Sequence, residues 1–112
     1  MIGIVIKPDK TVEERTLTDY KDIQTAIGGY FDVVTLSDGT SMFVDDEYLI
    51  KGGLDFNSIA TDVCGLGGRP DIMFTNPILG PVVVLGPPDS SGETTDITDK
   101  ARNWIKRVAR EA

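Results

Sequence analysis

Gly28-Gly29-Tyr30-Phe31-Asp32-Val33-Val34-Thr35-Leu36, then Ser37-Asp38-Gly39-Thr40, then Ser41-Met42-Phe43-Val44-Asp45-Asp46-Glu47 is the stretch on which the fold turns. Two β-prone runs flank an Asp-Gly pair, the strongest short-range signal for a β-hairpin. Asp and Gly are the residues that best tolerate the positive φ of a two-residue turn. With Asp38 and Gly39 as its central residues, Val33 is expected opposite Val44, Thr35 opposite Met42 and Val34 opposite Phe43. Both sides of this ribbon carry apolar residues, so the hairpin is expected near the centre of a sheet covered on both faces.

Upstream, Ile2, Ile4 and Ile6 alternate with Gly3, Val5 and Lys7 and read as a strand. Pro8-Asp9-Lys10 turns the chain, and Thr11 to Leu17 reads as a second strand paired with the first. Thr18 is the expected N-cap of a helix over about Asp19–Ile27, with Tyr20, Ile23, Ala26 and Ile27 on one buried face. Gly28-Gly29 ends it in the left-handed region.

Downstream, Tyr48 to Phe56 is irregular, its apolar residues expected to tuck under the sheet. Asn57 is the expected cap of a helix from Ser58 to Cys64. Gly65-Leu66-Gly67-Gly68-Arg69-Pro70 reads as a flexible loop and Asp71 to Thr75 as a short extended segment. Pro81-Val82-Val83-Val84-Leu85-Gly86 is an apolar run of the kind a strand buried on both faces shows. These elements predict an α+β fold: a mostly antiparallel sheet with a central hairpin, a helix after the second strand, a short second helix and an appended C-terminal helix. Residues 1–86 are the expected core, 87–97 a Pro/Ser/Gly linker, and 98–112 an amphipathic helix. In that last helix Ala101, Trp104, Ile105, Val108 and Ala112 form an apolar stripe, and Arg102, Lys106 and Arg110 a basic row.

Composition narrows the chemistry. The 112 residues suit one domain with a single core, and 40% hydrophobic with 26% charged content is ordinary for a globular chain. Histidine is absent, which removes Ser-His-Asp and Cys-His pairs and the usual Cys/His zinc ligands. Cys64 is the sole cysteine, so no internal disulfide forms. Met1–Ile6 lacks the basic start of a secretory leader and no apolar run is long enough to span a membrane, so a cytoplasmic location is expected. Residues 1–97 carry 6 Lys/Arg against 16 Asp/Glu, a balance of -10, and the remainder a balance of +3.

Four segments together carry a family resemblance: Ile27-Gly28-Gly29-Tyr30-Phe31-Asp32-Val33-Val34, Asp45-Asp46-Glu47, Leu54-x-x-Asn57-x-x-Ala60, and Gly80-Pro81-Val82-Val83-Val84-Leu85-Gly86. Over about residues 2–86 the chain resembles a small domain common in phages, plasmids and actinobacterial mobile elements, the domain of unknown function thirty-eight forty-six. The family usually has Glu where this chain has Asp32, and the helix from Thr98 falls outside the shared pattern. The resemblance implies a phage-like accessory context and brings no activity or catalytic residues.

The candidate functional residues each have a plainer reading. Asp45, Asp46 and Glu47 offer clustered oxygens, but consecutive strand residues point to alternate sides, so a solvated charge cluster is the simpler role. Gly67, Gly68 and Arg69 could cradle a phosphate or nucleotide, though neither a dinucleotide fingerprint nor a P-loop surrounds them. Gly29, Tyr30 and Asp32 form a surface a ligand or partner could meet. Trp104, Ile105 and Val108 are expected to pack on something, either the chain's own sheet or a second copy in a homodimer, with the second copy favoured.

No metal, cofactor or catalytic residue is expected, and the net negative charge disfavours general nucleic-acid binding. The leading expectation is a non-enzymatic, acidic accessory protein that binds and modulates a host protein, in an anti-defence or DNA-mimic manner. The alternative is a small-ligand or nucleotide module built on Gly65–Arg69 or Gly28–Asp32.

Overall fold

The computed structural model describes residues 1–48, 50, 52–74 and 76–111. Its elements in order are β1 (Ile2–Ile6), β2 (Val12–Thr16), α1 (Tyr20–Ile27), β3 (Phe31–Thr35), β4 (Ser41–Asp45), α2 (Ser58–Leu66), α3 (Pro70–Phe74), β5 (Val82–Leu85) and α4 (Asp99–Glu111). The five strands form one antiparallel sheet in the order β2-β1-β5-β4-β3. The α+β class is as expected, with a C-terminal helix.

Alternation along the strands builds two cores. Ile4, Ile6, Met42, Val44, Val82 and Val84 face α2, α3 and α4, where Ile59, Val63, Ile72, Ala101 and Ile105 meet them. Val5, Phe43, Val83 and Leu85 face the other way and pack on Ile23 and Ile27 of α1. β5 is central and buried on both faces, as its apolar run predicts.

The hairpin departs from its expected place and register. β4 lies beside β5, but β3 is an edge strand. Val33 pairs with Phe43, Val34 with Met42 and Thr35 with Ser41, one residue away from the expected pairing. The loop has three residues. Gly39 N–H donates to the Leu36 carbonyl at 2.9 Å and Leu36 N–H to the Thr40 carbonyl at 2.9 Å, with Gly39 at φ +90°. This is a type I turn followed by a left-handed glycine, so Ser37 and Asp38, not Asp38 and Gly39, are its central residues. The Asp38 carboxylate holds the Thr40 N–H at 2.9 Å. The shift gathers Val34, Leu36, Met42 and Val44 into one core, which the two-residue turn would have split between the faces.

Local signals explain most helix ends. Asp19, not Thr18, caps α1, its carboxylate taking the Asp22 N–H, while Asp22 takes the Thr18 N–H in return. Gly28 ends the helix at φ +91°. Asn57 caps α2, which runs on through Gly65 and Leu66, so the expected loop there is shorter. The segment from Asp71 forms the short helix α3 instead of an extended run, with Pro70 at its first position where the missing N–H costs nothing; Thr75 lies outside the described residues. Between β4 and α2, Tyr48 is partly buried, but Ile50 and Phe56 are exposed rather than tucked under the sheet. Leu49 and Lys51 of that stretch lie outside the described residues.

The segment after β5 is pinned to the sheet. Gly86 N–H donates to the Thr95 carbonyl, Ile97 N–H to the Ile2 carbonyl, and Ile2 N–H to the Asp96 carboxylate at 2.8 Å. A Cβ on Gly86 would stand 2.2 Å from the Asp96 carbonyl oxygen, so only glycine allows this crossing. Ile97, Ala101, Ile105 and Val108 enter the same core as the sheet residues. The expected boundary at Gly86 therefore does not separate α4 from the core; Ala112, at the end of its stripe, lies outside the described residues.

Candidate functional site

β3 ends the sheet, and its face on the α1 side is left partly open. Phe31, Val33 and Thr35 lie on that face beside Phe43, with Tyr20 of α1 and Thr94 of the segment after β5 forming the far wall of a groove of about 580 Å³. The floor is aromatic: Phe31 meets Phe43 edge-on at 5.0 Å between ring centres and Tyr20 at 6.0 Å. The Tyr20 hydroxyl and Thr94 Oγ1 lie 3.2 Å apart and close the wall. Val33 is 42% exposed, high for an apolar residue on the inner side of a sheet.

The hydrogen-bond ladder sets which backbone groups of β3 face outward. Leu36 N–H donates to Thr40, and Asp46 N–H to the Tyr30 carbonyl at 3.1 Å, so even-numbered residues bond to β4. Phe31, Val33 and Thr35 therefore turn their N–H and carbonyl groups to the open edge. One of these donors is occupied from within, since the Asp32 carboxylate accepts the Val33 N–H at 2.8 Å.

The expected site residues divide into three places. Tyr30 and Asp32 lie exposed at the start of β3, and the Tyr30 carbonyl ties them to Asp46. Gly29 is used in the end of α1, donating to the Gln24 carbonyl. Asp45 is buried and accepts the Glu47 N–H at 2.8 Å, while Asp46 and Glu47 are exposed in the turn that follows. Among the described residues no group of three His, Cys, Asp or Glu is placed to hold a metal ion.

Gly67 and Gly68 sit at the other end of β3, against the hairpin turn. The Gly67 carbonyl accepts the Ser37 N–H at 2.8 Å, and the Gly67 and Arg69 N–H groups donate to Val63 and Cys64. Two of the donors that would cradle a phosphate are thus bonded within the fold. Arg69 pairs with Asp71 through two contacts of 3.2 Å, which holds the Asp71 carboxyl below its ordinary range. Burial raises the Tyr48 hydroxyl, and the Arg69 charge offsets this in part.

Trp104 is half-buried and lines a pocket of about 220 Å³ with Ser37, Asp38, Gly67 and Lys100. Of the two packings open to the last helix, Ile105 and Val108 take the one on the chain's own core rather than on another copy. Cys64 is fully buried with its sulfur 3.2 Å from that of Met42, and burial pushes its thiol up to about 12. Sequence reasoning missed the groove. Its available signal was the charge-poor run Phe31–Thr35, unusual for an edge strand.

Fold and site together define a small antiparallel α+β domain whose β3 edge is open and apolar. The chain belongs to the family of the domain of unknown function DUF3846, whose model matches residues 1–109. That match includes nearly all of α4, so the last helix is part of the family's pattern and not an addition to it. No curated protein and no solved structure matches the chain. No helix among the described residues is long and apolar enough to cross a membrane.

Proposed function

We propose that this chain is a non-enzymatic interaction module, an acidic accessory protein of a phage or mobile element that binds another protein and alters its action. The observation that carries the reading is the open β3 edge with its apolar groove, on a chain of net charge -7. Asp32 is exposed on the edge strand itself. Such a surface favours a basic partner and repels nucleic-acid backbones.

The test is capture of partners from a host lysate at physiological salt, by the wild-type chain and by a chain carrying Asp32→Asn, Asp38→Asn and Glu93→Gln. Retention by the wild type and loss by the neutralised chain is the expected result. Retention indifferent to neutralisation, or no retention, overturns the reading.

The pocket beside Gly67 and Trp104 favours a second reading, a small-ligand module. A nucleotide bound there at 100 times its Kd would add about 2.7 kcal/mol of stability, visible as a rise in melting temperature. No rise across a nucleotide panel removes that reading for nucleotides.

A further inference from the structure

The two edges of the sheet are defended differently. β2 reads Val12-Glu13-Glu14-Arg15-Thr16, and its charges are engaged: Glu13 pairs with Lys7 and Arg15, and Glu14 with Arg102 of α4. Charged, ion-paired side chains along an edge discourage a further strand. β3 reads Phe31-Asp32-Val33-Val34-Thr35, with one charge. That charge sits on the central outward N–H of the strand, at Val33. The same residues that turn backbone groups outward, Phe31, Val33 and Thr35, turn their side chains to the groove.

We infer that β3 takes up a basic, extended segment of a partner protein as a sixth strand of the sheet. The inference rests on the binding-module reading and gives it a mode. Backbone groups of the incoming segment bond to Phe31, Val33 and Thr35, and its alternate apolar side chains enter the groove over Phe31 and Phe43. The intervening side chains lie on the other face beside Asp32, where Lys or Arg forms the favourable cross-strand pair. Such a cation draws the Asp32 carboxylate off the Val33 N–H and frees that donor. Asp32 thus closes the edge to uncharged strands and opens it to basic ones.

Charge decides between occupants. The exposed Asp32 carboxylate on the strand itself and the chain's net charge of -7 complement a cationic segment. A second copy carries the same net charge of -7 and would bring Asp32 close to its own image, so it is the poorer occupant at neutral pH.

The test is an NMR titration of the intact chain with three short, end-blocked peptides: alternating Lys and Val, the same peptide N-methylated at alternate backbone nitrogens, and alternating Glu and Val. The Lys–Val peptide is expected to shift the amides of Phe31, Val33 and Thr35 and slow their hydrogen exchange. N-methylation, which removes backbone donors and keeps the charge, is expected to weaken binding about tenfold or more, and Glu–Val to abolish it. Val33→Lys should weaken the Lys–Val peptide by a similar factor, with an unchanged melt showing that the exposed site tolerates it.

Equal binding of the N-methylated peptide overturns strand addition and leaves a surface that binds by charge alone, so the binding-module reading survives. Shifts at β2 rather than β3, or no binding of Lys–Val, also overturn it. So does protection of β3 by self-association at neutral pH, which would make the edge an interface between copies. Failure of the wild-type chain to retain any partner in the lysate experiment, by contrast, removes the underlying reading whatever the peptides do.

Discussion

Asn57 is completely buried, its amide donating to the Ile6 carbonyl at 3.0 Å and the Gly80 carbonyl at 2.8 Å while its Oδ1 takes the Ala60 N–H. One side chain thus caps α2 and ties it to β1 and to the approach to β5. Asn57→Ala leaves two carbonyls and one N–H without partners in a dry interior, so it is expected to cost about 3 kcal/mol or more in urea unfolding. A loss under 1 kcal/mol would mean that water replaces the amide. Cys64 makes a prediction of a different kind. Its unfolded thiol titrates near the ordinary 9.0, whereas the folded one holds its proton to about 12. Between those values the unfolded state binds fewer protons, so stability falls as pH rises, by up to roughly 1.4 kcal/mol per pH unit. Cys64→Ala removes that component, and urea melts of both proteins from about pH 8 to 11 should diverge in slope. Parallel slopes would show that the thiol is more accessible than its burial implies. The cap at Asn57 was legible because a polar residue stood just before an apolar run. Its two further bonds were not, because they join residues far apart in the chain.

At the scale of elements, α4 is the plainest test of packing. Ile105 is fully buried in the core shared with the sheet, while Trp104 is half-exposed at the rim near Gly67. Ile105→Ala is therefore expected to cost about 3 kcal/mol, and Trp104→Ala clearly less despite removing a larger side chain. Chemical denaturation of the two variants reads the order directly, and a larger loss at Trp104 would place that ring in the core instead. The stripe spacing revealed which side of α4 is apolar. It could not reveal which surface the stripe meets, since that depends on Thr95–Ile97 crossing over Gly86. The hairpin failed in the same way. Asp38-Gly39 marked a turn correctly, yet a type I turn with a left-handed Gly39 and a two-residue turn share that dipeptide. What chose between them was the burial of Leu36, a tertiary fact. The groove was invisible for a related reason: it needs Tyr20, Val33 and Thr94 side by side, and no local pattern joins those three.

For the molecule as a whole, a net charge of -7 sets how copies meet. With Ile105 and Val108 buried in the chain's own core, a monomer is expected at pH 7 across micromolar concentrations. Near the pI of about 4.4 the repulsion between copies vanishes and the β3 edge is free to pair with itself. Sedimentation at pH 4.4 should then show concentration-dependent mass that Val33→Lys removes, and an unchanged monomer at that pH would argue that Asp32 shields the edge without help from net charge. The strand order carries a consequence for how the chain reaches this state. β1–β2 and β3–β4 are local hairpins, but nothing joins them until β5 inserts between β1 and β4, pairing Ile4 with Val84 across most of the chain's length. Non-local closure of this kind is slow, and it waits until residues 82–85 have been made. Val83→Ala should therefore slow refolding, whereas Val108→Ala should mainly hasten unfolding, a contrast that the two arms of a chevron plot separate. Until the ribosome has released residues 82–85, two ribbons with unpaired inner edges stand side by side, and that interval is when the chain is most open to proteases and to mispairing with its neighbours.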